Sequence, residues 1–327
     1  MKTILVTGAS GFVGGHVVAA LARAGYTVRA LVRNAARARF IKEYTPELAL
    51  GDVTAPATLE AAVAGVEGVI HCAGLTRAAR LEDLQHVNVA GTRHLFEACL
   101  RVNPAVRRLV HVSSLAALGP AQAGQPVREG GERRPVSAYG RSKLAGQVVA
   151  ESYRDRLPVT VLVPPAVYGP QDKDFLMYFR LIQRRLLPLM GDGRQTISLI
   201  YAKDLAHAAL LCLESERAAG REYLVEDGRA RTWTELAAAI ATVMQRQPNI
   251  LHVSPGLLRA VAGLAEFFAR CTGRASLLSR DKLAEFVQPA WTCSGARLHE
   301  ELGFQPAFTL EQGLAETYRW YQEQHWL

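Results

Sequence analysis

A short apolar run at residues 3–7, Thr-Ile-Leu-Val-Thr, passes directly into Gly8-Ala-Ser-Gly11-Phe-Val-Gly14. Helical spacing of apolar residues (Phe12, Val13, Val17, Val18, Leu21) begins inside that glycine pattern. A strand that meets a helix through G-x-x-G-x-x-G leaves few folds open. Gly8 permits the tight turn, Gly11 lets a pyrophosphate approach the backbone, and Gly14 lets the helix lie close on the strand. The first helical turn carries N–H groups without intrahelical partners at the positive end of the helix dipole, so it favours an anion. A glycine triplet elsewhere would be a weak signal. At a strand-to-helix junction it predicts a dinucleotide cradle made by Gly8, Ser10, Gly11, Phe12, Val13 and Gly14.

The rhythm beyond the cradle agrees. Strand-like runs are read at 26–32, around Val69 and Ile70, at 109–112 and at 159–163, with helices at 12–24, 84–100 and 137–154 between them. Continuous apolar strands alternating with helices predict an α/β fold, a Rossmann-type doubly wound parallel sheet covered on both faces. After Pro164 the pattern changes. Proline and glycine cluster at 164–170 and 188–193, and helical patterns dominate at 203–216, 233–246, 256–270, 279–287 and 310–324. Strand-like pieces at 196–201 and 221–225 interrupt them. The expected organisation is a dinucleotide-binding domain over 1–164, to which 195–228 returns, and a smaller, mostly helical substrate-binding region from 165–194 and 229–327.

Charge and cysteine usage narrow the partners. In 327 residues, 38 lysines and arginines stand against 30 aspartates and glutamates, a formal net charge of +8. That excess favours anionic ligands, but the basic residues are scattered, which argues against nucleic acid. Cys72, Cys99, Cys212, Cys271 and Cys293 are widely spaced, with no Cys-x-x-Cys and no Cys/His cluster. No metal site and no disulfide framework are expected, and free thiols fit a reducing cytoplasm. No secretory signal is read before the first strand, and no uncharged apolar run approaches the roughly 18 residues of a membrane span. The apolar, sparsely charged stretch 257–270 leaves a peripheral membrane contact open, as is a homodimer.

The second strand bears on the cofactor. An acid near its end would bind a ribose 2′-hydroxyl, but the stretch reads Val28-Arg-Ala-Leu-Val-Arg33-Asn34. Arg33 stands where the acid would be, and a guanidinium can fork onto a 2′-phosphate that a carboxylate would repel. NADP(H) is therefore preferred over NAD(H), which stays open. Chemistry is read further along. Tyr139-Gly-Arg-Ser-Lys143 opens a predicted helix, so tyrosine and lysine share one face. A phenol with a pKa near 10 is a poor base at neutral pH. A nearby ammonium and a cationic nicotinamide would favour phenolate, so Tyr139 is expected to exchange a proton with a substrate oxygen while hydride moves at the same carbon. Ser114, at the end of the 109–113 strand, is placed to hydrogen-bond that oxygen.

Together these features resemble an extended short-chain dehydrogenase/reductase, of the NAD-dependent epimerase/dehydratase superfamily, over nearly the whole chain. The motifs that carry the resemblance are Thr7-Gly8-x-x-Gly11-x-x-Gly14, Gly51-Asp52-Val53, His71-Cys72-Ala73-Gly74, Asn88-Val-x-Gly91-Thr92, Ser113-Ser114, Tyr139-x-x-x-Lys143 and Val167-Tyr168-Gly169-Pro170. The resemblance implies that Asp52 and Val53 hold the adenine, and that Ala73 and Gly74 line the phosphate and ribose side. It implies that Lys143 also contacts the nicotinamide ribose, that Asn88 supports a proton relay, and that the backbone from Pro165 to Val167 meets the carboxamide.

Departures from the family pattern point to the substrate. Sugar-nucleotide epimerases and dehydratases resemble Gly-x-Gly-x-Gln-x-Arg-Asp before a late strand, where this chain reads Gly191-Asp-Gly193-Arg-Gln195-Thr-Ile197-Ser198. Ile197 replaces the arginine that would grip a diphosphate, and Arg194 is the residue able to compensate. The segment 175–190 is apolar and rich in aromatics and methionine, which suits either a lipophilic pocket or an ordinary core helix. The closing stretch, with Leu302-Gly-Phe and Trp320-Tyr321, resembles the 3β-hydroxysteroid dehydrogenase-like and dihydroflavonol-reductase-like branch. The expected activity is interconversion of a secondary alcohol and a ketone on a small, lipophilic sterol-, flavonoid- or alkyl-like substrate. A sugar-nucleotide epimerase or dehydratase is the alternative, followed by a non-catalytic NADP-binding sensor or assembly protein.

Overall fold

The structure, a computed structural model, describes residues 2–78, 80–122, 124–254 and 280–327, with positions 256 and 263. The predicted helix 256–270 and Cys271 otherwise lie outside the described residues. β1 (Thr3–Thr7) leads through the glycine loop into α1 (Phe12–Arg23), followed by β2 (Thr27–Val32), β3 (Glu47–Leu50), α2 (Leu59–Val63) and β4 (Gly68–His71). Next come α3 (Leu81–Gln85), a π-helical turn over His86–Ala90, α4 (Gly91–Val102), β5 (Arg108–Val112), α5 (Leu115–Leu118), α6 (Ala138–Glu151) and β6 (Val159–Val163). The later part holds β7 (Ala166–Tyr168), α7 (Asp174–Gln183), β8 (Leu186–Met190), β9 (Thr196–Ile197), β10 (Leu199–Tyr201), α8 (Ala202–Glu214) and β11 (Glu222–Leu224). It continues with β12 (Arg231–Thr232), α9 (Trp233–Val243), β13 (Asn249–Val253), α10 (Arg280–Phe286), β14 (Ala290–Trp291), α11 (Ala296–Leu302) and α12 (Leu310–Glu323).

Seven strands form one parallel sheet in the order β11-β6-β5-β4-β1-β2-β3. The strand order reverses beside β1, and the crevice beyond the carboxyl ends of β1 and β4 is where ligands bind in open α/β sheets. β1, β4, β5 and β6 are mostly apolar and buried along nearly their whole length because both sheet faces are covered. One cluster packs Val17, Val18 and Leu21 of α1 and Leu205, Ala208 and Ala209 of α8 on one face. The other buries Leu95, Phe96 and Cys99 of α4 and Val149 and Ala150 of α6. β11 completes the sheet beyond β6, so residues 222–224 belong to the same core as β1.

A third apolar cluster gathers α7, α9 and α12 around Phe179, Ile240, Leu314 and Tyr321. The region after Pro164 is less purely helical than its patterning predicts. It carries three small sheets, β10-β7, β12-β9-β14 and β13-β8. No helix among the described residues is long and apolar enough to cross a membrane. Cys72, Cys99, Cys212 and Cys293 are free thiols.

Candidate active site

The cradle follows from its glycines. Gly8 sits at φ +67°, and a Cβ there would stand 2.7 Å from the Ala73 nitrogen. A Cβ on Gly14 would lie 2.2 Å from the Gly8 carbonyl oxygen, so only glycine lets α1 approach β1 this closely. The Gly11 N–H donates to the Gly8 carbonyl at 2.8 Å, which closes the turn. Gly11 caps α1 in an extended conformation with no side-chain cap bond, and no acid stands in the first turn. The leading N–H groups of α1 therefore face the crevice without an internal acceptor, which fits a cofactor pyrophosphate.

A directed chain of hydrogen bonds holds the facing loop. The Ala73 N–H donates to Thr7 Oγ1 at 3.2 Å, and Thr7 Oγ1 lies 2.7 Å from His71 Nδ1. His71 Nε2 lies 3.0 Å from Thr92 Oγ1, whose own proton goes to the Asn88 carbonyl at 2.8 Å. Because Thr92 donates onward, His71 must donate from Nε2 and accept at Nδ1. Burial, aided by the Lys143 charge, holds this imidazole neutral, with its pKa lowered to about 3. Ala73 and Gly74 are thus fixed opposite the glycine loop.

Ser114, Tyr139 and Lys143 converge from two elements. Ser114 caps α5, its hydroxyl accepting from the Ala116 N–H at 3.2 Å. Ser137 caps α6 by accepting from the Gly140 N–H at 2.9 Å, which sets Tyr139 and Lys143 on the first turn and a half. Lys143 is buried and donates from Nζ to the Val112 carbonyl at 2.9 Å. Burial pushes its pKa down to about 8, with Cys72 opposing. The expected phenolate depends on a bound cationic nicotinamide, and the protein's own groups act the other way. Burial pushes Tyr139 up to about 12, the Ser114 hydroxyl draws it down, and the carboxylates of Glu285 and Asp174 raise it further. The protein's own groups therefore keep Tyr139 a neutral phenol, a proton donor rather than a base.

Tyr139, Ser114 and Lys143 open into a cavity of about 1020 Å³. Phe12, Val13, Gly74, Pro165 and Val167, all expected at the cofactor, line the same cavity. The segment 175–190 divides in two. Phe175 and Leu176 pack in the core with Phe179 and Ile182, while Met177, Tyr178, Leu181 and Pro188 reach the cavity wall. Ile197, buried in β9, lines the wall beside Trp233 and Trp291. Arg194 does not line the cavity. Its side chain is 87% exposed and faces Asp192 of its own loop at 3.5 Å.

Other expected site residues lie outside the cavity wall. Arg33 is exposed beyond β2, its guanidinium 4.0 Å from the Asp52 carboxylate. Of its basic neighbours, Arg29 is held by Glu47 and by the carbonyls of Ala62 and Ala64, and Arg39 lies over the Phe40 ring. Asp52 accepts from both the N–H and the hydroxyl of Thr54, and the Val53 side chain is buried against Gly91. Asn88 sits in the π-helical turn. Its amide accepts from the Leu75 N–H (2.8 Å) and donates to the Leu75 carbonyl (3.0 Å) and the Ser142 hydroxyl (2.8 Å). Ser10 lies between Gly8 and Gly11 on the open side of the loop.

The helical pattern read at 279–287 is α10, but nothing in that pattern marked its two acids as part of the site. Asp281 accepts from the Ala138 N–H at 2.5 Å, and buried Glu285 accepts from the Ser137 hydroxyl at 2.5 Å. Two acids some 140 residues away in the chain thus fasten the start of the helix that carries Tyr139. Arg77, from the loop after β4, pairs with Asp174 at the start of α7 across the cavity.

With this geometry in place, the likeness to known proteins is specific. The model of the NAD dependent epimerase/dehydratase family matches residues 4–225. A ceramide reductase of Caulobacter vibrioides is 33% identical, over 99% of this chain and 96% of its own length. A UDP-glucose 4-epimerase of Vibrio cholerae is 27% identical, over 97% of this chain and 94% of its own. Among solved structures, the crystal structure of gox2253 matches with a TM-score of 0.82 at 26% identity, covering 99% of each chain.

Proposed function

The chain belongs to the NAD dependent epimerase/dehydratase family, as an enzyme of the extended short-chain dehydrogenase/reductase type, and from that premise we propose that it interconverts a ketone and a secondary alcohol on a lipophilic substrate with NADP(H). The observation that carries this reading is the cavity. Its reacting side chains, Ser114, Tyr139 and Lys143, share one space with apolar side chains from α7, β9, α9 and β14. Each Å² of such wall covered by an apolar substrate contributes roughly 25 cal/mol. The ceramide reductase among the relatives supports a lipid ketone.

In the reduction direction, a bound nicotinamide cofactor would supply the hydride that the carbonyl carbon takes up. Tyr139, kept neutral by burial, donates its phenolic proton to the carbonyl oxygen. Ser114 hydrogen-bonds the same oxygen and orients it. Lys143 is assigned the nicotinamide ribose and the electrostatic support of Tyr139 as it gives up its proton. Gly8, Ser10, Gly11, Phe12, Val13 and Gly14 are assigned the pyrophosphate, Asp52 and Val53 the adenine, and Ala73 and Gly74 the ribose side. Pro165 and Val167 are assigned the carboxamide. Asn88 is assigned a positioning role, because its amide ties the Leu75 loop to Ser142 of the catalytic helix. The NADP(H) preference rests on Arg33, whose exposed guanidinium follows directly on β2, where an acid would bind a ribose 2′-hydroxyl.

The test is a panel of lipophilic ketones and alcohols, beside UDP- and GDP-sugars, followed through NADPH absorbance. Lipophilic ketones are expected to turn over. Tyr139→Phe is expected to lose turnover by two or more orders of magnitude, the scale of acid–base catalysis, with cofactor binding retained. Turnover of a nucleotide sugar with no reaction on any lipophilic ketone overturns the reading. The buried Ile197 and the outward Arg194 argue against that result, since neither offers the cavity a cation for a diphosphate.

A further inference from the structure

Tyr178 is a polar side chain of the cavity that the proposed chemistry leaves unused. It projects from α7, and its ring stacks on Trp233 with centroids 5.3 Å apart and planes 24° from parallel. Phe175 flanks it at 6.1 Å. The ring is thus fixed between two aromatic neighbours, which leaves the hydroxyl little freedom of position. Tyrosine hydroxyls held in apolar surroundings usually find a partner, because an unpaired polar group there loses its hydration without compensation. The Tyr178 hydroxyl has no hydrogen-bond partner among the described residues, and it is absent from the polar atoms sealed away from solvent. Burial pushes its pKa upward, and the Asp174 carboxylate, which also acts on Tyr139, raises it further. The group is therefore a neutral donor on the wall of the space that Tyr139 faces.

The acids and the indole that line the same part of the cavity are engaged. Asp172 accepts from the N–H groups of Asp174 and Phe175, Asp174 pairs with Arg77, Asp281 accepts from Ala138, and Glu285 accepts from Ser137. The Trp291 indole donates to the Glu285 carbonyl at 2.8 Å. A fixed, unpaired phenol among engaged neighbours and apolar walls selects one kind of ligand atom. We infer that Tyr178 is a specificity-determining residue. It donates a hydrogen bond to a second polar group of the substrate, an amide or hydroxyl oxygen carried close to the reacting ketone on an otherwise apolar molecule. The inference rests on the reading of this cavity as the substrate site of a ketone reductase. It adds that the preferred substrate is a ketone with a neighbouring acceptor, rather than a plain hydrocarbon ketone.

The experiment compares two probes: a long-chain ketone with an N-acyl amide on the neighbouring carbon, and a matched ketone in which methylene groups replace the amide. Wild type and Tyr178→Phe are each titrated with both probes in the presence of NADP⁺, and turnover with NADPH is followed separately. Removing the hydroxyl keeps the stacked ring, so the fold is retained. The amide ketone is expected to lose about tenfold in affinity and in kcat/KM, the equivalent of one hydrogen bond, while the plain ketone changes less than about twofold. The melting temperature of Tyr178→Phe without ligand is expected to match wild type, since the hydroxyl has no partner to lose. Equal losses on both probes, no loss on either, or a destabilised free protein overturns the inference. Binding of both probes without turnover of either sinks the reductase reading instead, and the binding ratio still decides the role of Tyr178.

Discussion

Lys143 stands to weaken the fold it serves. Its ammonium is buried, its pKa is lowered from 10.5 to about 8 by that burial, and its one hydrogen bond among the described residues runs to the Val112 carbonyl. A shift of this size is worth about 3 kcal/mol, at 1.36 kcal/mol per pKa unit. The folded pKa lies below the unfolded one, so the unfolded chain binds more protons between about pH 8 and 10.5. The penalty is present in full below pH 8, fades as pH rises through that window, and is gone above it. Replacing Lys143 by methionine keeps most of the side-chain volume and removes the charge. Loss of the Val112 bond offsets about 1 kcal/mol of the gain. Lys143→Met is therefore expected to be about 2 kcal/mol more stable than wild type at pH 7, and close to wild type at pH 10, in the absence of cofactor. Denaturant unfolding at the two pH values measures this, and thermal unfolding at pH 7 should show a rise of a few degrees. The same variant is expected to lose turnover, because a destabilised active-site charge is the kind of strain that function retains. A variant less stable than wild type at pH 7, or a difference independent of pH, would refute the argument that burial governs this lysine.

Two further outcomes follow from the cofactor side. Arg33→Ala is expected to weaken NADPH binding by about 1.5–3 kcal/mol, the worth of hydrogen bonds to a charged group, with NADH affinity unchanged in calorimetric titration; equal wild-type affinities for the two cofactors would remove the basis of the NADP(H) preference. Gly14→Ala would put a Cβ 2.2 Å from the Gly8 carbonyl oxygen, so the helix must move off the strand. Its expected signature is loss of cofactor-induced thermal stabilisation for both NADPH and NADH.

The parallel sheet was legible because its signal is local. Predicted strand 159–163 coincides with β6, and predicted helices 12–24, 137–154 and 310–324 lie within a few residues of α1, α6 and α12. Where the reading fell short, pairing partners are distant in sequence. β3 has the burial pattern of an edge, with Leu50 two-thirds exposed, so its residues lack the apolar continuity of the central strands. The segment 175–190 was taken as one unit. It is a helix that stops at Gln183, turns through Arg185 at φ +58°, and re-enters as a strand paired with residues 249–253. Pro188 is tolerated there because the pair has only two strands and is all edge. The predicted helix 84–100 falls within one continuous helical run from Leu81 to Val102, but the π-helical turn inside it that places Asn88 has no mark in apolar spacing.

The candidate site divides along the same line. Gly8, Gly11 and Gly14 sit within one loop, and Tyr139 and Lys143 within one helix, so their geometry is set by residues that neighbour them in sequence. A dinucleotide presents the same pyrophosphate to every such loop, and the constraint it imposes is written compactly. The substrate wall has no such constraint. Met177, Ile197, Trp233 and Phe286 come from four separate elements, and their meeting depends on packing across more than a hundred residues. Asp281 and Glu285 belong with them. They fasten the first turn of α6 from the far end of the chain, so the helix that carries the proton donor is held by the region that shapes the substrate cavity. A change in that region made for a new substrate therefore acts on Tyr139 as well, through Ser137 and Ala138. Asp281 and Glu285 also line the cavity, so under the proposed reading the same two carboxylates couple substrate choice to the placement of Tyr139.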